Sequence, residues 1–371
     1  MTRPGAVRRS GVRSHLRRSL RAGLAAGLAL ALLALAGCSD PSASPDKPPL
    51  IDAAAPLPRP DRPQVDQAGL RRARAEKARA ATAVAARAAD TPASRDMRNY
   101  LQIVEKTLIS QGKMRTDGGT DIAMTPESLT EDFVRIALRD EYSRQGDSLV
   151  SGATPAPLRR WTQPVRMRIE FGDSVAPAQR DRDRAQIAAY AAQLQSASGH
   201  PVSLGQGDGN FTVLILSEDE RRAITPRLIE LVPGIPSSDV QALVNLSPQN
   251  YCTVFAYSRG PSSTYTNAVA LIRSETPARL RLSCFHEELA QGLGVANDDP
   301  QVRPSIFNDD EEFALLTPHD ELLLKILYDP RLRPGMTEAE ARPLVLQIAR
   351  ELLAQAQAQL PAATPTPQPQ V

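Results

Sequence analysis

The chain has 371 residues, with 44 basic and 42 acidic side chains, four histidines and a formal net charge of +2. That positive balance belongs to the N-terminus: seven arginines and no acid precede Cys38, so the chain from Cys38 onward carries 37 basic against 42 acidic residues. A net-negative body excludes the basic footprint of a nucleic-acid-binding protein, and no nucleic-acid partner is expected.

Arg3, Arg8, Arg9, Arg13, Arg17, Arg18 and Arg21 precede an acid-free apolar run, Ala22 to Ala36, that ends at Gly37-Cys38. This order predicts a signal peptide over residues 1–37. The run is shorter than the roughly 18 residues that a membrane-spanning helix needs. Leu35-Ala36-Gly37-Cys38 resembles a lipobox, in which the cysteine receives acyl chains such as palmitate and becomes the mature N-terminus. The expected location is the bacterial cell envelope, lipid-anchored and facing the periplasm, with the outer membrane favoured over the inner. An uncleaved anchor with an incidental cysteine is the weaker alternative, and Arg17-Arg18 is not read as a twin-arginine signal.

Residues 38–95 are expected to be a tether and spacer. Ser39 to Gln67 is rich in proline, alanine and aspartate and holds little that could enter a core. Leu70 to Ala89 follows with Arg71, Arg72, Arg74, Lys77, Arg79 and Arg87 among alanines, a helix-favouring composition with few large apolar residues. A solvated helix or spacer is favoured there over a basic arm on lipid or cell wall. Residues 96–157 read as a helical preface, with Thr130 capping a helix that runs through Tyr142 and carries Phe133, Val134, Ala137 and Leu138 at helical spacing.

Residues 158–336 read as the principal domain. Val165 to Phe171 alternates like a half-buried strand, and Asp183 to Ser198 reads as a helix stopped by Gly199. Pro201 to Leu204, Phe211 to Leu216, Cys252 to Tyr257 and Ala268 to Ile272 read as further strands, with helical stretches at Glu218 to Leu231 and Ser237 to Leu246. The fold class is α+β. Residues 337–371 are read as a C-terminal helix followed by a tail, Leu360 to Val371, expected to be disordered.

With Cys38 acylated, Cys252 and Cys284 remain, the first at the start of a strand and the second read as lying just before a helix. An oxidising envelope favours a disulfide between them, with two buried thiols as the alternative. A catalytic thiol is disfavoured because neither cysteine has a histidine nearby in sequence.

The segment that could carry chemistry is Phe285-His286-Glu287-Glu288-Leu289-Ala290-Gln291-Gly292-Leu293-Gly294-Val295-Ala296-Asn297-Asp298. Phe285, Leu289 and Leu293 recur four apart on one apolar face, while Glu287 and Gln291 share the opposite side with Glu288 beside them. Gly294 would let the chain turn with positive φ and bring Asn297 back toward that polar stripe. His286, about a hundred degrees from Glu287 around the helix, is read as a surface or supporting group.

In spacing, Glu287-Glu288-x-x-Gln291-x-x-Gly294-x-x-Asn297 resembles the metzincin pattern HExxHxxGxxH. Thr317-Pro318-His319-Asp320 with the apolar residues after it resembles the capped C-terminal helix of that family. The segment from Trp161 to Met336 also resembles an uncharacterised family of bacterial lipoproteins. The resemblance implies a metzincin-like mixed sheet with a long central helix, Glu288 in the catalytic position, and a cleft at Glu287, Gln291 and Asn297. These three lack imidazoles, and a carboxylate with two amides is a harder, weaker set than zinc prefers. His200, His286 and His319, the histidines left after His15, are not at ligand spacing, and no methionine precedes Met336 where a Met-turn would lie. No cofactor is expected, and the sequence does not fix a metal.

The reading is therefore a pseudoenzyme: a non-catalytic binding or scaffold module for a peptide, cell-wall or envelope-protein partner, held to the membrane by its lipid. The alternative is a peptidase-like envelope hydrolase with an atypical metal site, or with Glu288 as general base. Asp298-Asp299 and Asp309-Asp310-Glu311-Glu312 lack EF-hand spacing and read as a solvated acidic loop rather than a calcium site.

Overall fold

Alternation of apolar and polar side chains places half of each strand against a core, and here the central strands are apolar on both faces, which calls for helices on both sides. A computed structural model describes residues 66–145, 148–205 and 207–359. The signal peptide, Cys38, nearly all of the tether and the tail from Leu360 lie outside the described residues. Among the described residues, no helix is long and apolar enough to cross a membrane.

The described chain opens with helices α1 (Gln67–Ala88), α2 (Pro92–Ser110) and α3 (Pro126–Ala137), then a hairpin of β1 (Arg139–Gln145) and β2 (Ser148–Pro155). α1 is exposed almost throughout and buries only Ala85. The sheet domain follows as β3 (Arg160–Trp161), β4 (Val165–Phe171), α4 (Pro177–Ser198), β5 (Val202–Leu204) and β6 (Phe211–Leu216). Three short helices come next, α5 (Glu218–Arg222), α6 (Thr225–Leu231) and α7 (Ser237–Val244). The chain then forms β7 (Cys252–Ser258), β8 (Thr264–Arg273), α8 (Ala278–Gln291), α9 (Pro318–Leu327) and α10 (Glu338–Gln359).

The six-stranded sheet runs β3-β8-β6-β4-β5, all parallel, and β7 adds to β8 in the antiparallel sense. The fold is α+β. Phe211, Val213 and Ile215 of β6, with Ala268, Ala270 and Ile272 of β8, face a core shared with α3, α4, α8, α9 and α10. Leu214, Leu216, Val269 and Leu271 face the other way, onto Leu228 of α6 and Val240 and Leu243 of α7.

Two local readings of the sequence are corrected. Helix α3 starts at Pro126 and is capped by Thr125, whose hydroxyl accepts the Ser128 N–H at 3.0 Å. Thr130 lies inside it and donates to the Pro126 carbonyl at 2.6 Å. Pro126 at the first position and the reciprocal Thr125–Ser128 box outcompete Thr130 as the start, and the chain is already a strand at Arg139. Helix α4 begins at Pro177, six residues before the expected start. Its Asp183 is buried in an ion pair with Arg281 of α8 at 2.9 Å, which explains an acid in mid-helix. Gly199 ends α4 in the left-handed conformation at φ 69°.

His319 near the start of α9 donates through Nε2 to the Asp132 carboxylate of α3 at 3.0 Å, and its Nδ1 lies 3.7 Å from Asp320. Burial alone would lower this imidazole, but the two carboxylates outweigh it and hold it at about 9. A group raised in the folded state stabilises fully below its unfolded value, near 6.5, and loses that contribution as pH rises through about 9. Stability should therefore fall by about 3 kcal/mol between those limits. Urea midpoints across this range should show the slope in the wild type and a flatter curve in His319→Gln; parallel curves would refute it.

Candidate functional site

Helix α8 positions the centre of the site. Its N-terminus is held by Glu105 of α2, which accepts the Leu280 N–H at 2.8 Å, and its first turns by the Arg281–Asp183 pair. Its end is clamped by two aromatic side chains: the Trp161 indole donates to the Gly292 carbonyl at 2.8 Å, and the Tyr328 hydroxyl to the Leu293 carbonyl at 2.9 Å. Gly294 follows at φ 127°, and a β-carbon there would collide with the Arg159 carbonyl oxygen. Only glycine satisfies both conditions.

With both ends fixed, α8 turns Phe285 and Leu289 into the core and presents Glu287, Glu288 and Gln291 to a cleft of about 790 Å³. One wall of the cleft is β7. Among the described residues β7 pairs with β8 alone, so its other edge borders the cleft. The remaining walls are Glu141 and Tyr142 of β1 and the segments around Asp298 and Asn308 to Glu311.

Cys252 of β7 and Cys284 of α8 form a disulfide, so the cleft wall and its floor are covalently joined. Cys284 lies inside α8 rather than before it, because the helix already starts after Pro277.

Seven carboxylates line this space; Asp140 is paired with Arg159, and the other six are Glu141, Glu287, Glu288, Asp298, Asp309 and Glu311. None of these six forms an ion pair among the described residues. Burial, and then the neighbouring carboxylates, raise Glu287, Glu288 and Asp298 well above the usual carboxylate range. Glu141 and Glu311 are pushed up to about 7, chiefly by burial. Glu288 is 4% exposed, and no described group donates a hydrogen bond to its carboxylate or to that of Glu287. Gln291 does have a partner: its Nε2 donates to Asp298 at 2.8 Å, which leaves its Oε1 uncommitted.

The three positions aligned with metal ligands do not converge. Glu287 and Gln291 share the cleft, but Asn297 is 1% exposed and turned away, its Nδ2 donating to the Arg135 carbonyl at 2.8 Å and its N–H to the Ile136 carbonyl at 3.1 Å. Asp298, the next residue, faces the cleft instead. These residues do not fit zinc, since the described histidines are all committed elsewhere. His286 is buried rather than on the surface, stacks on Tyr190 and accepts the Leu316 N–H on Nδ1 at 3.1 Å, and burial lowers it to about 4. His200 meets the Gln163 carbonyl at 2.9 Å, and His319 meets Asp132.

The acidic runs are also not uniformly solvated. Asp299 pairs with Arg135 at 3.1 Å, Glu312 with Arg115 and Arg303, and Asp310 with Lys113 at 3.5 Å. Their neighbours Asp298, Asp309 and Glu311 have no such partner and line the cleft. Glu311 is held at φ 55° while its carbonyl accepts the Met114 N–H at 2.8 Å. Glu141, Tyr142 and Glu311 were not singled out in the sequence as site residues.

A family model described as Protein of unknown function (DUF2927) matches residues 126–347, more than half of the chain, and the chain belongs to that family. The match begins at the first residue of α3 and ends within α10, so it contains every wall of the cleft. Comparison with curated proteins and with solved structures gave no match.

Proposed function

For this family member we propose a lipid-anchored envelope protein whose cleft binds an extended basic polypeptide, such as a segment of an envelope partner or a cell-wall peptide, without cleaving it. The observation that carries this reading is β7, an antiparallel strand that among the described residues pairs with β8 alone and lines the cleft from Cys252 onward, together with six cleft carboxylates that form no ion pair among the described residues. An edge strand offers main-chain hydrogen bonds to an added strand, and unpaired carboxylates select lysine and arginine side chains. The sheet with its single antiparallel strand, the glycine turn after α8 and the capped α9 support a metzincin-like core. The donor set described above supports loss of its zinc chemistry. Anchoring rests on the order of basic region, apolar run and Leu35-Ala36-Gly37-Cys38.

A second reading, a peptidase-like hydrolase with Glu288 as general base, draws on that buried, unpaired and raised carboxyl. Binding of lysine- and arginine-rich peptides to the full-length protein, followed by fluorescence anisotropy, separates the two. A basic peptide should bind and be recovered intact, and its copy with alternate backbone nitrogens methylated should bind at least about tenfold more weakly. Equal binding of both copies would remove strand addition, and a cleaved peptide would install the hydrolase. Cys38→Ala should take up no labelled fatty acid; continued labelling would remove the anchor.

A further inference from the structure

A carboxylate withdrawn from water needs a hydrogen-bond donor, a positive charge or a proton. The described carboxylates buried outside the cleft follow that rule: Asp183 has Arg281, Glu218 has Arg221 and Arg273, and Asp320 accepts from Ser305 and Thr317. Inside the cleft no described donor or cation meets it for Glu288, which leaves a proton or a bound ion. Glu288 is 4% exposed, faces the cavity and has neither a donor nor a cation among the described residues.

Glu287 and Glu288 offer oxygen atoms within 4.8 Å of one another and of the Cys252 sulfur, a spacing that a single ion can bridge. The sulfur itself is committed to the disulfide and offers no thiolate. Asp298, outside that 4.8 Å group, is the carboxylate whose charge acts most strongly on both glutamates. Gln291 turns its Nε2 toward Asp298, which leaves Oε1 as a neutral oxygen donor beside them. The donor set is thus three carboxylates and an amide oxygen, without imidazole or thiolate. Such a set suits a hard cation that accepts many oxygen ligands in flexible geometry.

We propose that Glu287, Glu288, Asp298 and the Gln291 Oε1 bind one hard divalent cation, calcium in the first instance, at the floor of the cleft. The inference is independent of the peptide reading and compatible with it: one divalent ion offsets two of the six cleft carboxylates that lack an ion pair, and Glu141, Asp309 and Glu311 still face a ligand above it. The ion would lie next to the disulfide and the first residue of β7, so its occupancy and the geometry of the edge strand are linked.

Calcium alone is the probe. The full-length protein is stripped with chelator and titrated with Ca²⁺ by calorimetry at fixed neutral pH, and its unfolding temperature is followed in parallel. One ion per chain should bind with a dissociation constant on the order of 10⁻⁵ M, and the unfolding temperature should rise with Ca²⁺ concentration. Glu288→Gln and Asp298→Asn should each weaken binding by at least about tenfold. Asp310→Asn, at a carboxylate paired outside the cleft, should leave it within about twofold. Chelated Glu288→Gln should be at least as stable as the chelated wild type, because it removes a buried carboxyl that has no donor or cation, and this separates a ligand role from a packing role. No heat and no thermal response up to millimolar Ca²⁺ would overturn the proposal, as would wild-type affinity in both cleft variants. Stoichiometric Zn²⁺ binding tighter than Ca²⁺ would overturn the hard-cation assignment.

Discussion

Glu218→Ala should destabilise the protein by about 3 to 5 kcal/mol, the range for breaking a buried ion pair from one side. The Glu218 side chain is 5% exposed and joins three arginines: Arg221 at 2.5 Å, Arg222 at 2.8 Å and Arg273 in a shorter contact. Arg221 and Arg273 are themselves buried, and each also donates to main-chain carbonyls near the end of α7, those of Leu243, Val244, Leu246 and Ser247. Burial works against ionisation of Glu218, and the arginines outweigh it, holding its carboxyl below the usual range. Its removal would leave two desolvated guanidiniums with Glu275 as the acid left nearby. Urea unfolding gives the measurement. Glu230→Ala, which breaks the exposed pair with Arg227, is the control and should cost no more than about 1 kcal/mol. A cost of that size for Glu218→Ala would show that water reaches the cluster.

Loss of the Cys252–Cys284 disulfide should cost about 4 kcal/mol. The cysteines are 32 residues apart, and the chain-entropy relation gives that figure for a loop of this length. The paired substitution Cys252→Ala/Cys284→Ala isolates the cross-link from the chemistry of free thiols, and its unfolding midpoint should fall accordingly. Alkylation of unfolded, never-reduced protein should modify neither cysteine. Two modified thiols, or an unchanged midpoint in the double variant, would contradict it.

Much of the sheet was legible because its signals are local. Val165 to Phe171 alternates within seven residues, Gly199 stops a helix by its own conformational freedom, and Thr317-Pro318 with Asp320 makes a cap that needs no distant partner. The hairpin of β1 and β2 was not legible. Its residues are largely polar, and the helical spacing of Phe133 to Leu138 runs up to its edge without a glycine or proline to mark the change. At the site, the stripe of Glu287, Glu288 and Gln291 could be read from one helix's geometry. Which of two adjacent residues, Asn297 or Asp298, faces the cleft could not, because the choice is made by the Arg135 and Ile136 carbonyls more than a hundred residues earlier. Glu141 joins the site only through the placement of the β1–β2 hairpin, and Glu311 through the segment whose carbonyl accepts the Met114 N–H.

Helix α1 has a consequence for how the whole molecule behaves near a charged surface. Its 22 residues make a rod about 33 Å long, carrying Arg71, Arg72, Arg74, Lys77, Arg79 and Arg87 against the single acid Glu76. The rod packs on α4, which in turn packs on β5, the edge of the sheet farthest from β7. The basic rod and the acidic cleft therefore lie toward opposite borders of the sheet, and these two groups of charge together make a dipole directed across its strands. Beside an anionic bilayer such a dipole experiences a torque. If the proposed anchor holds the protein at such a surface, the torque would draw the arginine-rich rod toward the lipid and turn the acidic cleft outward, and salt, which screens the field, would loosen this orientation without altering the fold.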